Sequence, residues 1–138
     1  MDVNKSNNSA ETASEFSDDL RFSFRSDKES SNRILIEPIG SINFLNAVYF
    51  EKRINTLIDE GYIHLFFDMN NTKYVAAVGI GSFIHLSARV KKMGGAIVLE
   101  RMKADVLVVF QLPGFVDYFI INDGISSDDL NGNWGTAE

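Results

Sequence analysis

The apolar residues of this chain change period several times between Leu20 and Ile121, and that alternation restricts its fold more than any other feature. LRFSFR (20–25) alternates apolar and polar residues, as a half-buried strand does. After the polar turn SDKESSN, RILIEPIGSI (33–42) predicts a second strand, with Pro38 marking a strand end or a bend. From Asn43 the period becomes helical. Ala47, Phe50, Ile54 and Leu57 form one stripe, Asn43 is the expected N-cap and Gly61 lies just past the end. YIHLFFDM (62–69) and AIVLE (96–100) are short apolar runs suited to strands covered on both faces. Between them, Ile80, Phe83, Ser87 and Val90 share one helical face within Gly79–Met93, and Gly94-Gly95 stops that helix. Residues 103–112 are ambiguous by period alone, because β-branched residues dominate a short run. Pro113-Gly114 ends that run, DYFII (117–121) reads as a last strand, and SSDDL (126–130) as the start of a final short helix. The order β-β-α-β-α-β-α-β predicts an α/β domain with a mixed, mostly parallel sheet.

The length of 138 residues fits one domain. The net charge of −6 is unevenly placed: residues 1–19 carry −4 and residues 128–138 carry −3, which leaves 20–127 at +1. So balanced a body lacks the clustered basic face that nucleic acid requires, and no nucleic-acid partner is expected. Residues 1–19, rich in Ser, Asn, Glu and Asp, are expected to be a disordered acidic tail, and 131–138 a flexible C-terminal tail. No apolar run approaches the length of a membrane span and the N-terminus carries no apolar signal core, so neither membrane insertion nor secretion is expected. The expected location is cytoplasmic. Cysteine is absent, which excludes disulfides, thiolate metal sites and cysteine nucleophiles.

Asp68–Phe83 reads DMNNTKYVAAVGIGSF. This resembles the central stretch of STAS domains (sulfate transporter and anti-sigma factor antagonist), which runs much like D-L-S-G-V-T-F-I-D-S-S-G-L-G-V-L. Asp68, Met69, Tyr74, Val75, Gly79, Ile80 and Gly81 fall on matching positions. The likeness extends to IGSIN (39–43), to KKMGGAIVLE (91–100) and to VFQLPGF (109–115), and so covers about Leu20 to Leu130. It implies a STAS-like fold with five strands, about four helices packed mainly on one face, and a helix at 103–112. It also implies a non-catalytic protein-binding module that works by partner switching, most directly with an anti-sigma factor of the serine-kinase type. A cytoplasmic subunit of an ABC-type transporter and a scaffold in a signalling assembly are the alternative roles.

In the family a serine at the start of the central helix takes the phosphate that switches partners. The resemblance puts Ala77 at that serine and Ala76 at the preceding Asp, with Asn43 where a nearby loop Asp is common. Alanine carries no hydroxyl, so position 77 cannot hold a phosphate. The expected contact residues are Asn43, Ala76, Ala77, Val78 and Gly79, extended along the helix by the polar stripe Ser82, His85, Arg89 and Lys92. The alternative reading of that stripe is a solvated helix face. The third helix is apolar nearly all round, so that a tail bearing Trp134 or another protein is expected to cover it; Leu107 and Val108 are the candidates for self-association into a homodimer.

No cofactor, metal or catalytic residue is expected. The chain has two separated histidines, no paired carboxylates in a motif and no phosphate-binding Gly-Lys-Ser. His64, amid Ile63, Leu65 and Phe66, reads as a packed interior histidine. Gly79-Ile80-Gly81 follows a strand and opens a helix, which keeps nucleotide binding as a remote alternative. Ile84 stands where a third glycine belongs, and a tight turn with close helix packing explains the pair.

Overall fold

The computed structural model describes residues 19–26 and 32–122. The two expected tails and the helix expected from SSDDL lie outside these residues, Asp19 excepted. The elements are β1 (Leu20–Ser26), β2 (Arg33–Ile42), α1 (Ala47–Asp59), β3 (His64–Asp68), β4 (Thr72–Val75), α2 (Ala77–Lys92), β5 (Ala96–Glu100), α3 (Ala104–Phe110), a 3₁₀ turn (Val116–Tyr118) and β6 (Ile120–Asn122). They form a six-stranded sheet of order β1-β2-β3-β5-β6, with β4 paired to β2. β1 is antiparallel to β2, and every other pairing is parallel. This is the expected mixed, mostly parallel sheet, with six strands rather than five and three described α-helices rather than about four.

The additional strand explains Pro38. β2 pairs with β3 as far as Ile36↔Phe67, and then with β4 from Gly40↔Thr72, with a register shift between Gly40 and Ser41. Pro38, which has no N–H to give, falls in the gap where β2 changes partner, and its carbonyl accepts the Thr72 hydroxyl at 2.9 Å. The strand therefore continues through the proline instead of ending there. Gly40 has φ +116, and a Cβ on it would lie 2.1 Å from the Asp19 carbonyl oxygen, so only glycine fits where β1 approaches.

One face of each strand joins the core. Ile34, Ile36, Leu65, Phe67, Ile97 and Leu99 meet Phe50 and Ile54 of α1, Phe83, Leu86 and Val90 of α2, and Val106 and Phe110 of α3. Phe83 is the hub: its ring lies 4.9 Å from Phe50, 5.0 Å from Phe67, 5.2 Å from Phe110 and 6.2 Å from Phe119. Offset and edge-on rings at such spacings add to the burial of each ring. The expected stripe of α1 (Ala47, Phe50, Ile54, Leu57) is buried, as are Ile80, Phe83, Ser87 and Val90 of α2. The ambiguous 103–112 run is helical over Ala104–Phe110, and Gly61 with φ +108 ends α1. His64 is half-buried on the opposite side of β3 from Leu65 and Phe67, not enclosed in the core.

Candidate partner-binding surface

α1 and α2 both begin at one end of the sheet, where β2 and β4 finish side by side with Ile42 opposite Val75. The β2–α1 loop there is tied by two asparagines. The Asn43 Oδ1 accepts the N–H groups of Leu45 at 2.9 Å and Asn46 at 3.1 Å, while the Asn46 Oδ1 accepts the Asn43 N–H at 2.8 Å. Asn46, fully buried, also donates from Nδ2 to the Ser41 carbonyl at 2.9 Å. The N-cap of α1 is thus Asn46, and Asn43 shapes the turn before it. Either asparagine suits such a turn by its own chemistry; the bond to Ser41 selects Asn46 for the buried place.

This bonded loop holds two large apolar side chains in water. Phe44 is 80% exposed and Leu45 63%, and Val48, one turn into α1, is 70% exposed. Tyr74 on β4 is 57% exposed and Val78 on α2 43%. Five exposed apolar residues thus lie on the β2–α1 loop, the first turn of α1, β4 and the first turn of α2.

α2 starts without a capping side chain. Its N-cap, Ala76, has φ −73 and ψ 164. The Ala76 N–H donates to the Ile42 carbonyl, and the Ala76 carbonyl accepts from Gly79 and Ile80. The N–H groups of Ala77 and Val78 find no acceptor among the described residues. Ala77 is exposed and Ala76 half-buried.

The expected contact residues separate into two groups. Asn43, Ala76, Ala77 and Val78 come together at this end. Gly79, by contrast, is buried: a Cβ there would sit 2.8 Å from Ile42 Cγ2 and 3.0 Å from Val75 Cγ1, so it serves close helix packing. Gly81 has open space around it and answers no such need. The polar stripe does not form one surface. Ser82 is 5% exposed and its hydroxyl donates to the Val78 carbonyl at 3.3 Å, satisfying itself within the helix. Arg89 reaches α1, donating to the Asn55 Oδ1 at 2.7 Å and the Asp59 Oδ1 at 2.6 Å. His85 is exposed with Nδ1 3.4 Å from the Glu51 carboxylate, and Lys92 is exposed.

Sequence reasoning missed Phe44, Leu45, Val48 and Tyr74. Val48 was legible, because it lies on the face of α1 that otherwise carries Lys52, Asn55 and Asp59. On α3, Val106 and Phe110 are buried, Leu107 is half-buried, and Val108 is 58% exposed, continued by Leu112 at 47%. α3 is therefore two-sided, not enclosed by a second layer. Among the described residues no group of three or more His, Cys, Asp or Glu could hold a metal ion, and no helix is long and apolar enough to cross a membrane.

The STAS domain model matches residues 25–127. The chain belongs to the STAS-domain family. It is 25% identical over 95 residues to the anti-sigma-B factor antagonist of Bacillus subtilis, covering 69% of this chain and 86% of that protein. It is also 25% identical over 80 residues to BtrV of Bordetella bronchiseptica, assigned to the same antagonist class, covering 58% of this chain and 69% of that one. The fold matches that of the Bacillus antagonist SpoIIAA in its unphosphorylated form, with a TM-score of 0.65 at 13% identity over 80% of this chain and 91% of SpoIIAA. The fold and class expected from the central motif are those of the STAS relatives. SpoIIAA has also been solved in its phosphorylated form.

Proposed function

We propose that this STAS domain is a protein-binding module of the anti-sigma factor antagonist type that docks its partner on the apolar end formed by Phe44, Leu45, Val48, Tyr74, Ala76, Ala77 and Val78. The observation that carries the reading is the bonded β2–α1 loop: a network of side-chain bonds holds Phe44 and Leu45 exposed, at 80% and 63%, beside the uncapped start of α2. Preorganised aromatic and aliphatic groups lose little conformational freedom on binding, which is what an interface hot spot requires. The partner in this reading is an anti-sigma factor of the serine-kinase type. Its carbonyl or carboxylate groups would meet the N–H groups of Ala77 and Val78, which suit an acceptor at a helix start. With no hydroxyl at Ala77, phosphate at that position does not end the contact, and binding is set by concentration and by competing partners. The protein acts by contact alone, in the cytoplasm, without cofactor. The half-exposed strip of Leu107 and Val108 on α3 is assigned to contact between copies of the chain.

Capture of such an anti-sigma factor by Phe44→Asp, Val78→Asp and Val108→Asp variants tests this, with folding followed by far-UV circular dichroism. A charge placed in a dry contact is expected to weaken capture by about 1–3 kcal/mol for each of the first two variants. Val108→Asp is expected to leave capture intact and to reduce only self-association. Loss of capture in Val108→Asp alone, with all variants folded, would put the docking surface on α3. Mass spectrometry after incubation with the kinase is expected to find phosphate on an Ala76→Asp/Ala77→Ser variant and none at 76–79 of the natural chain.

A further inference from the structure

We propose that the groove between β1 and the second half of α1 binds a free amino acid with an apolar side chain. Phe24 of β1 and Ile34 of β2 line an open cavity of about 280 Å³ there, together with Arg53, Leu57, Glu60 and Tyr62. Arg53, Leu57 and Glu60 recur at i, i+4 and i+7 along α1 and its C-cap, so they share one side of the helix. The volume stands at the lower limit of ligand pockets and suits a small molecule. Val48 of the docking end lies in the first turn of α1, whereas Glu60 follows its last, so the two sites are distinct.

The two charged residues of the groove select the ligand. The Arg53 guanidinium lies over the Phe24 ring, 4.7 Å from its centre, which leaves its N–H edge for an acceptor. Among the described residues no carboxylate pairs with Arg53, and no donor or cation meets the Glu60 carboxylate. The neighbouring Asp59 is instead taken by Arg89 at 2.6 Å. The last turn of α1 carries no basic residue, so its carbonyl end adds to the attraction for a cation beside Glu60. Arg53 and Glu60 stand two turns apart, about 10.5 Å along the helix, and make no bridge to each other. An α-amino acid carries a carboxylate and an ammonium on one carbon and can join the two. Its carboxylate takes the Arg53 fork, its ammonium the Glu60 carboxylate, and its side chain the apolar lining. A ligand with a single charge leaves Arg53 or Glu60 without its counterpart.

Titration of the isotopically labelled full chain with L-phenylalanine, followed by backbone amide shifts, tests the proposal. At about pH 6, where an α-amino group is protonated, saturable shifts are expected at Arg53, Leu57 and Tyr62. A Kd of about 1 mM is expected for so small a ligand. N-acetyl-L-phenylalanine lacks the ammonium and L-phenylalanine amide lacks the carboxylate. Each is expected to bind about tenfold more weakly. Arg53→Met keeps the aliphatic stem and is expected to abolish the preference for L-phenylalanine over its amide. Glu60→Gln is expected to abolish the preference over the N-acetyl form, and far-UV circular dichroism checks that both variants fold. The absence of saturable shifts at these residues would overturn the proposal. Equal affinity for all three compounds, or preferences unchanged in both folded variants, would overturn it as well.

Discussion

The two ends of α2 are built in opposite ways. At its C-terminal end the last turn carries Arg89, Lys91 and Lys92, suited to the negative end of the helix dipole. Arg89 bonds to Asn55 and Asp59 of α1, and Lys91 to the Asp117 carbonyl at 2.9 Å. Arg89 and Lys91 are thus engaged by this chain, while Lys92 is exposed. The N-terminal end has no cap, no acid in its first turn, and exposed apolar neighbours. Between the two ends Phe83 and Gly79 press the helix on the core. At one end polar bonds hold the helix to the rest of the fold, and at the other the first N–H groups and apolar neighbours stay exposed, the end proposed for docking.

The largest effect should come from the pin that both ends share. Phe83→Ala removes a fully buried ring that touches four others and is expected to cost about 3–5 kcal/mol. In a urea titration the midpoint should fall sharply. Partner capture should follow the folded fraction, with no further loss, because the ring is fully buried in the core and outside the proposed docking end.

The two glycines of α2 sharpen the contrast between packing and contact. Gly79→Ala forces a methyl to within 2.8 Å of Ile42 and 3.0 Å of Val75, both buried and β-branched, and is expected to destabilise by about 1–3 kcal/mol. Gly81→Ala meets nothing and removes a poor helix former, so a gain of about 0.5–1 kcal/mol is expected. Equal effects of the two substitutions on the denaturation midpoint would contradict the close approach of α2 to β2.

Much of this fold is legible in the sequence, because the stripes of α1 and α2 are long and their buried members are large. β4 was not legible. Thr72–Val75 is four residues long, with Lys73 and Tyr74 exposed, and it exists because the register shift at Gly40 frees the end of β2 for a new partner. The site divided along similar lines. That positions 76 and 77 are alanines with no hydroxyl to hold a phosphate was readable, since that depends only on identity. The directions of Ser82 and Arg89 were not readable, since a serine can bond its own helix and an arginine can reach a neighbouring one. Phe44 and Leu45 escaped notice because exposure is set by the Asn43–Asn46 bonds, which spacing does not reveal.

A cap added to the bare end should make the helix more stable and the surface less useful. Ala76 already has the extended backbone of an N-cap, so Ala76→Asp can accept a first-turn N–H and favour the positive end of the dipole. A gain of about 1 kcal/mol in stability is expected. Partner capture should weaken in the same variant, because the aspartate occupies the N–H groups offered to the partner and brings a charge to a dry contact. A variant that binds more tightly would place the partner elsewhere.

The smallest effect belongs to the engaged end. Arg89 and Asp59 meet at 2.6 Å, but their side chains are 38% and 66% exposed, so water and salt screen the pair. A double-mutant cycle with Arg89→Met and Asp59→Asn should give a coupling of about 0.5 kcal/mol, falling further at high salt. Methionine keeps most of the aliphatic stem, which separates the loss of charge from the loss of packing. Partner capture is expected to be unchanged, for Arg89 lies about 18 Å along the helix from Ala77 and its guanidinium is already bound to α1. A coupling of this size with capture intact would assign the arginine to folding, whereas capture lost at constant stability would extend the docking surface along the helix toward α1.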